Sequence, residues 1–231
     1  MKNIFIILVI VLLFSNNSFS QKSYGSDLSA TVAIPTGPNS EYSNTGYGVM
    51  GGFYYEYASN WRVGLTLGFI RFGANSAELN NYFQTRLPEG TEGSLDIDAS
   101  VSTIPILLSC KYVIPSGSST KFYGIIEGGL YTYWTQAKGK VVYTLPDPGE
   151  IPFDESQFTS EIGWDLGFGA LFSVGEDISI DANVRYHFVR NSGTIKIKYD
   201  NNPYDTYGGE EAVGTSHFVN IGIGANWNFD L

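Results

Sequence analysis

Catalysis and ligation need nucleophiles, acids, bases or ligands at workable spacing, and this chain offers few. It holds only two histidines, His187 and His217, and one cysteine, Cys110. Ser216 precedes His217, with Glu210 and Glu211 just upstream. A hydroxyl, an imidazole and a carboxylate are the ingredients of acyl transfer by an activated serine, recognised by geometry rather than sequence position. His187 alternates with Arg185 on one face of an extended segment, the setting of a hydrogen-bonded interior histidine. A metal centre needs clustered His, Cys, Asp or Glu ligands, and the two histidines fall on different segments. Acidic residues gather at Asp147, Glu150, Asp154 and Glu155, and again at Asp200, Asp205, Glu210 and Glu211. Calcium requires six to eight oxygens in one place, and neither group has a calcium-loop spacing, so both read as solvated loops. The glycine pairs Gly167/Gly169 and Gly222/Gly224 are followed by no helix, so they lack the anion-binding geometry of a helix N-terminus. Cys110 has no partner for an internal disulfide. The sequence therefore assigns no catalytic, metal-binding or cofactor-binding residue, and no cofactor is expected.

The elements that would position these side chains are strands. From Tyr24 to Phe229 eight segments alternate in polarity, the last of them most strictly. There Val219, Ile221, Ile223, Ala225, Trp227 and Phe229 share one face, and Asn220, Gly222, Gly224, Asn226 and Asn228 the other. Such period-two alternation marks a strand with unlike faces. The connections alternate long and short. The short ones are Ala58-Ser59-Asn60, Pro115 to Thr120 and Gly175-Glu176-Asp177; the long ones run roughly 35–45, 73–97, 135–157 and 191–216. A membrane barrel sorts its loops this way, with short periplasmic turns and long outer loops. The fold class expected is all-β, an eight-stranded antiparallel up-and-down transmembrane β-barrel.

The apolar faces are expected to meet lipid. They carry Trp61 to Phe69 on the third strand, Ile104 to Tyr112 on the fourth and Ile162 to Phe172 on the sixth, with aromatics toward the strand ends. Cys110 falls on this face as a structural thiol. Pro105 sits inside the fourth strand, where a bulge would accommodate its missing N–H. The polar faces carry charges of both signs, Glu56, Arg62, Lys111, Glu127, Glu161, Asp165, Asp181 and Arg185, which would pair within a narrow lumen. A soluble ligand barrel such as a lipocalin would turn the same faces inside out. Eight strands leave an interior only wide enough for side chains, which argues against a passive pore for solutes larger than ions.

Composition agrees. The 231 residues include 27 glycines, and 15% are aromatic. Mean hydropathy is −0.05, as expected where apolar and polar residues alternate. The net charge of −10 argues against nucleic acid. Lys2, the apolar run Ile4 to Phe14 and the small residues Ser18 and Ser20 read as a signal peptide over 1–20, cleaved before Gln21. That leaves 21–231 as the barrel domain, located in the cell outer membrane. Gly224, Trp227 and Phe229 resemble the C-terminal signal read by barrel insertion machinery.

Thr103 to Tyr112, a short turn, then Phe122 to Tyr131 resemble the PorT-like outer-membrane β-barrel family, small barrels of the OmpA/OmpX type. Ile104, Pro105, Leu107, Lys111 and Tyr112 carry the first half of the motif, and Tyr123, Gly128 and Tyr131 the second. Non-enzymatic envelope structure, or surface interaction through long loops, is the function expected. The candidate contact loop carries Tyr199, Asp200, Tyr204, Asp205, Tyr207, Glu210 and Glu211. Partners expected are outer-membrane lipids, the insertion machinery and a surface or secretion-system protein. The resemblance implies, as an alternative, an accessory role in assembly of a protein secretion system. Ser216, His217 and the nearby glutamates also resemble lipid-A deacylase barrels, which implies a third reading as a lipid-modifying enzyme.

Overall fold

The computed structural model describes residues 23–37, 40–58, 60–116, 119–145, 148–189 and 217–230. Residues 1–20, read above as a signal peptide, and the whole of the candidate contact loop lie outside the described residues.

Eight strands follow in chain order: β1 (Ser23–Thr36), β2 (Gly46–Ala58), β3 (Trp61–Gly73), β4 (Glu92–Val113), β5 (Thr120–Leu145), β6 (Gly149–Ser173), β7 (Ile178–Val189) and β8 (His217–Asp230). Each pairs antiparallel with its neighbours, and β8 returns to β1 from Ser23↔Asp230 to Thr36↔His217, closing the barrel. Closure removes every sheet edge within the wall, the condition for a sheet to cross hydrocarbon.

The alternation read from sequence decides which face looks where. Leu28, Phe53, Leu67, Leu108, Ile126, Ile162, Leu166 and Ile223 all point outward and are exposed. Aromatics bracket this band. Below, Trp61 packs on Tyr112 at 4.8 Å and Tyr24 on Tyr55 at 5.4 Å. Above, Trp134 stacks on Phe158 at 5.5 Å. From Phe122 to Trp134 the outward face of β5 spans about 40 Å along the strand, or roughly 28 Å of height at a 45° tilt. That matches the apolar band of an outer-membrane barrel, about 25 Å tall.

Pro105 makes no bulge. The β3–β4 register runs unshifted from Leu67↔Ile106 to Ile70↔Thr103, and β4–β5 is continuous through Pro105↔Tyr131. Pairing lapses only across Gly68 and Phe69, opposite Pro105 and Ile104, and the pyrrolidine ring leans over Gly68. The missing donor is absorbed by dropping two pairs rather than inserting a residue.

Two of the long loops expected from sequence are largely ordered structure. β4, β5 and β6 are 22, 26 and 25 residues long, against 12 to 14 for the others. Residues 135–157, read as a loop, are almost wholly strand, and 73–97 contains helix α1 (Ser76–Arg86) and the start of β4. The three strands rise above the upper aromatics as a ribbon about 35 Å long.

Along this ribbon the alternation continues, but its sense reverses. Gln136, Lys138 and Lys140 stand on the face that was apolar lower down, and Lys138 reaches Asp154 at 3.7 Å and Lys140 reaches Glu150 at 3.1 Å. The face that was polar becomes apolar, and Ile97, Ala99, Ala137, Val141 and Phe153 bury together with Leu79 of α1. Water replaces lipid outside and a helix replaces lumen inside, so each face takes the residues its surroundings require. The side chains of α1 also satisfy the edge of β4: Ser76 Oγ donates to the Ile97 carbonyl at 2.8 Å, and the Leu95 N–H donates to Asn80 Oδ1 at 2.7 Å. Asn75 caps the helix through its side-chain oxygen.

Candidate functional site: the sealed lumen and the ribbon above it

The inward residues of the lower barrel form a layered polar network. Nearest the short turns, Glu56 and Arg62 are register partners 3.7 Å apart. Arg62 Nη1 donates to the Tyr54 hydroxyl at 3.3 Å, and that hydroxyl lies 2.8 and 2.9 Å from the side-chain oxygens of Asn226 and Asn228. Tyr54 can lie across the lumen because Gly25 opposite has no Cβ; one there would stand 2.2 Å from the ring. Gly169 makes the same space for Tyr123. Lys111 reaches Asp27 at 3.3 Å and sits 4.5 Å above the Tyr123 ring. The Tyr123 hydroxyl donates to Asp181, 2.7 Å from Oδ1.

At mid-height the network is fully buried. Arg185 Nη1 donates to Glu127 Oε2 at 2.6 Å, and the hydroxyl of Thr66 donates to the other Glu127 oxygen. Glu127 and Asp165 are register neighbours, as are Asp165 and His187. His187 Nδ1 stands 2.8 Å from the Tyr131 hydroxyl and 3.1 Å from Asp165 Oδ2. Above this layer the lumen turns apolar, with Ala33, Met50, Ile70, Phe72, Val101, Tyr133, Val189 and Phe218 packed together.

Seven of the eight charges grouped from sequence are thus drawn into short contacts or adjacent layers: Glu56, Arg62, Lys111, Glu127, Asp165, Asp181 and Arg185. Glu161 shares their face but sits higher, opposite Tyr131, half-buried near the outer mouth. Sequence reading missed Asp27, Tyr54, Tyr123, Tyr131 and Thr66 as members of the network. Their inward parity was legible, but the cross-lumen reach of a tyrosine depends on which opposing residue is glycine.

Chemically, the Asp165–His187 contact holds two members of a catalytic relay without the third. Nε2 of His187 meets no hydrogen-bond partner among the described residues, and Phe218 stacks on the ring at 4.3 Å. Both side chains are 0% exposed, so no substrate atom reaches them. His217, the other histidine, lies on the outer wall against Phe188 at 4.4 Å and Tyr186 at 6.1 Å. It serves there as a girdle aromatic; Ser216, Glu210 and Glu211 lie outside the described residues. No group of three or more His, Cys, Asp or Glu side chains is placed to hold a metal among the described residues.

Comparison with known proteins places this architecture. Residues 6–229 match the family model of the outer membrane protein beta-barrel domain. No curated protein matches the sequence. Among solved structures, a major outer membrane protein from Thermus thermophilus superposes with a TM-score of 0.56 at 9% identity, covering 91% of this chain and 100% of that one. OprG from Pseudomonas aeruginosa gives 0.50 at 14% identity, covering 92% and 97%. Neisserial surface protein A gives 0.43 at 14% identity, covering 91% and 98%.

Proposed function

Because this chain belongs to the outer-membrane β-barrel family, we propose that it is a non-enzymatic barrel whose wall and sealed lumen serve to hold the β4–β6 ribbon outside the cell for contact with a partner. One observation carries the reading. The ribbon has its own small core beneath α1, built from Leu79, Ile97, Ala99, Ala137, Val141 and Phe153. A loop needed only to connect two strands has no reason to bury six side chains; a surface held in fixed shape for recognition does. Function concentrates in such connections when a rigid scaffold positions them. The strand ends Val189 and His217, which flank the contact loop expected from sequence, with Tyr199, Asp200, Tyr204, Asp205, Tyr207, Glu210 and Glu211, lie at the same end of the barrel as the ribbon.

The lumen supports a scaffold rather than a channel. Its middle layer is an ion-paired network with no exposed atom at Asp165 or His187, and its upper layer is packed hydrocarbon. General partners are outer-membrane lipids and the insertion machinery. The accessory role in secretion-system assembly stays as a second reading, supported by the PorT-like motif at Ile104, Pro105, Lys111 and Tyr112.

Two measurements test the proposal together. The purified barrel in planar bilayers is expected to give no stepped conductance. In intact cells, a photo-crosslinking residue at position 138 is expected to trap a discrete adduct that a buried position such as 141 does not. Steady channel openings, or no adduct at 138 or 136, would sink it.

A further inference from the structure

Glycine inside a strand weakens it and usually answers to a close approach of neighbouring atoms. Most strand glycines here do so. A Cβ at Gly64 would stand 2.2 Å from the Phe53 carbonyl, and one at Gly129 2.2 Å from that of Ile106. Gly124 and Gly128 are different. Both lie on the outward face of β5, a Cβ at Gly124 would meet nothing within 4 Å, and one at Gly128 only the Gly163 carbonyl at 3.8 Å. Neither has a positive φ. The fold does not require glycine at either position, and an ordinary side chain would fit.

What Gly128 creates is a recess in the lipid-facing wall. Gly128 forms its floor between the register partners Leu108 and Trp164, with Cys110 and Ile126 completing the sides and a cavity of about 470 Å³ open to the outside. Trp164 is braced from behind by Phe188 at 5.1 Å, and Leu108 projects at 74% exposure. Above it Leu130 projects, and below it Ile126. Beyond Ile126 the wall is bare again at the second open glycine, Gly124, flanked by Tyr112 and Phe168. The bare stretches of the column therefore lie at and below Gly128, toward the short-turn side of the membrane.

We propose that this recess seats one acyl chain of a phospholipid from the periplasmic leaflet. Its outward side chains, Leu108, Cys110, Ile126 and Trp164, are apolar, it is continuous with the surface that already faces hydrocarbon, and the bare wall at Gly124 lies on the side of that leaflet. Lipid tails are as apolar as the wall, so selectivity here comes from packing: a chain laid against Leu108, Ile126 and Trp164 gains dispersion contacts that a flat wall does not give.

The test uses the full barrel, extracted in mild detergent from outer membranes and weighed intact by native mass spectrometry. The natural chain is expected to retain one phospholipid per barrel. Gly128→Leu, which fills the recess, is expected to cut that occupancy at least about fivefold while leaving heat-modifiability unchanged. Gly124→Leu, which fills only the bare wall below Ile126, is expected to lower it less. If Gly128→Leu misfolds, Gly128→Ala is read instead and an intermediate loss is expected. Equal retention by the natural and filled barrels, no retention by either, retention of lipid A instead, or a barrel dimer in place of bound lipid would each overturn the assignment.

Discussion

Arg185 is the residue on which the middle of the barrel depends, and its removal gives the sharpest test of the lumen. Its guanidinium donates to Glu127 at 2.6 Å, and the two side chains are 3% and 0% exposed. Substituting Arg185→Met keeps much of the volume and leaves Glu127 beside Asp165 with no cation in contact. Breaking a buried pair by removing one partner costs about 3–5 kcal/mol, because the surviving charge stays dry and uncompensated. Removing both as Arg185→Met/Glu127→Met takes away the stranded charge as well, and such replacements are often neutral. The double variant is therefore expected to regain most of the loss, giving a coupling energy of about 2–4 kcal/mol in the double-mutant cycle. Urea unfolding of barrels refolded in lipid vesicles, followed by tryptophan fluorescence and by the gel shift between folded and boiled forms, measures all four corners of the cycle. A single variant within about 1 kcal/mol of the natural chain would mean that water reaches this layer. Additive losses would mean that the pair does not act as a unit.

Three further outcomes follow from other parts of the molecule. Leu166→Lys places a charge on the lipid face near mid-membrane and is expected to destabilise by about 2–4 kcal/mol in vesicles; a neutral effect would say that this face meets water. Leu79→Ala removes the main anchor of α1 and is expected to loosen the ribbon alone, by about 2–5 kcal/mol locally. Limited proteolysis on intact cells would then cut between 74 and 97 sooner, with the membrane-embedded fragment still heat-modifiable; loss of the whole barrel instead would show that the ribbon and wall fold as one unit. Gly64→Ala must push the β3 backbone from the Phe53 carbonyl, and is expected to lower the yield of folded barrel in refolding from urea, where Gly124→Ala does not.

The barrel was legible in the sequence because a single rule governs it. Within the membrane every strand must present apolar residues outward, so period-two alternation gave the strand count, the faces and the inward charges. The ribbon was not legible for a related reason. At Lys138, Lys140, Asp154 and Glu150 the face expected to be apolar is charged, and a search for apolar-out strands stops there. Yet Ala137, Val141 and Phe153 keep the same parity on the other face. The pattern had changed partner, not period. Helix α1 left a faint signal, since only Leu79 of its residues is buried and most of its remaining face is polar. The lumen was half legible: charges can be assigned to a face by counting, but Tyr54 and Tyr123 join the network only because Gly25 and Gly169 stand where they reach.

The reversal of polarity along β4, β5 and β6 also sets the depth at which the molecule floats. These strands pass from hydrocarbon to water without a break in register, and the change falls within a few residues of Trp134. Sinking the barrel by one strand residue, about 2 Å of height at a 45° tilt, would draw Lys138 and Asp154 toward the acyl chains; raising it would lift Trp134 and Phe158 into water. Each displaced charge costs up to a few kcal/mol. Among the described residues the ribbon rises from three adjacent strands, so this stop acts on one side of the cylinder, and the other side is bounded by shorter strands and their aromatics. The barrel is thus anchored like a post with a single flange: fixed in height, free to spin, and biased in tilt toward or away from the side that bears the ribbon. The ribbon keeps a constant distance from the membrane plane, so a partner meeting it would also be held at a set height above the lipid.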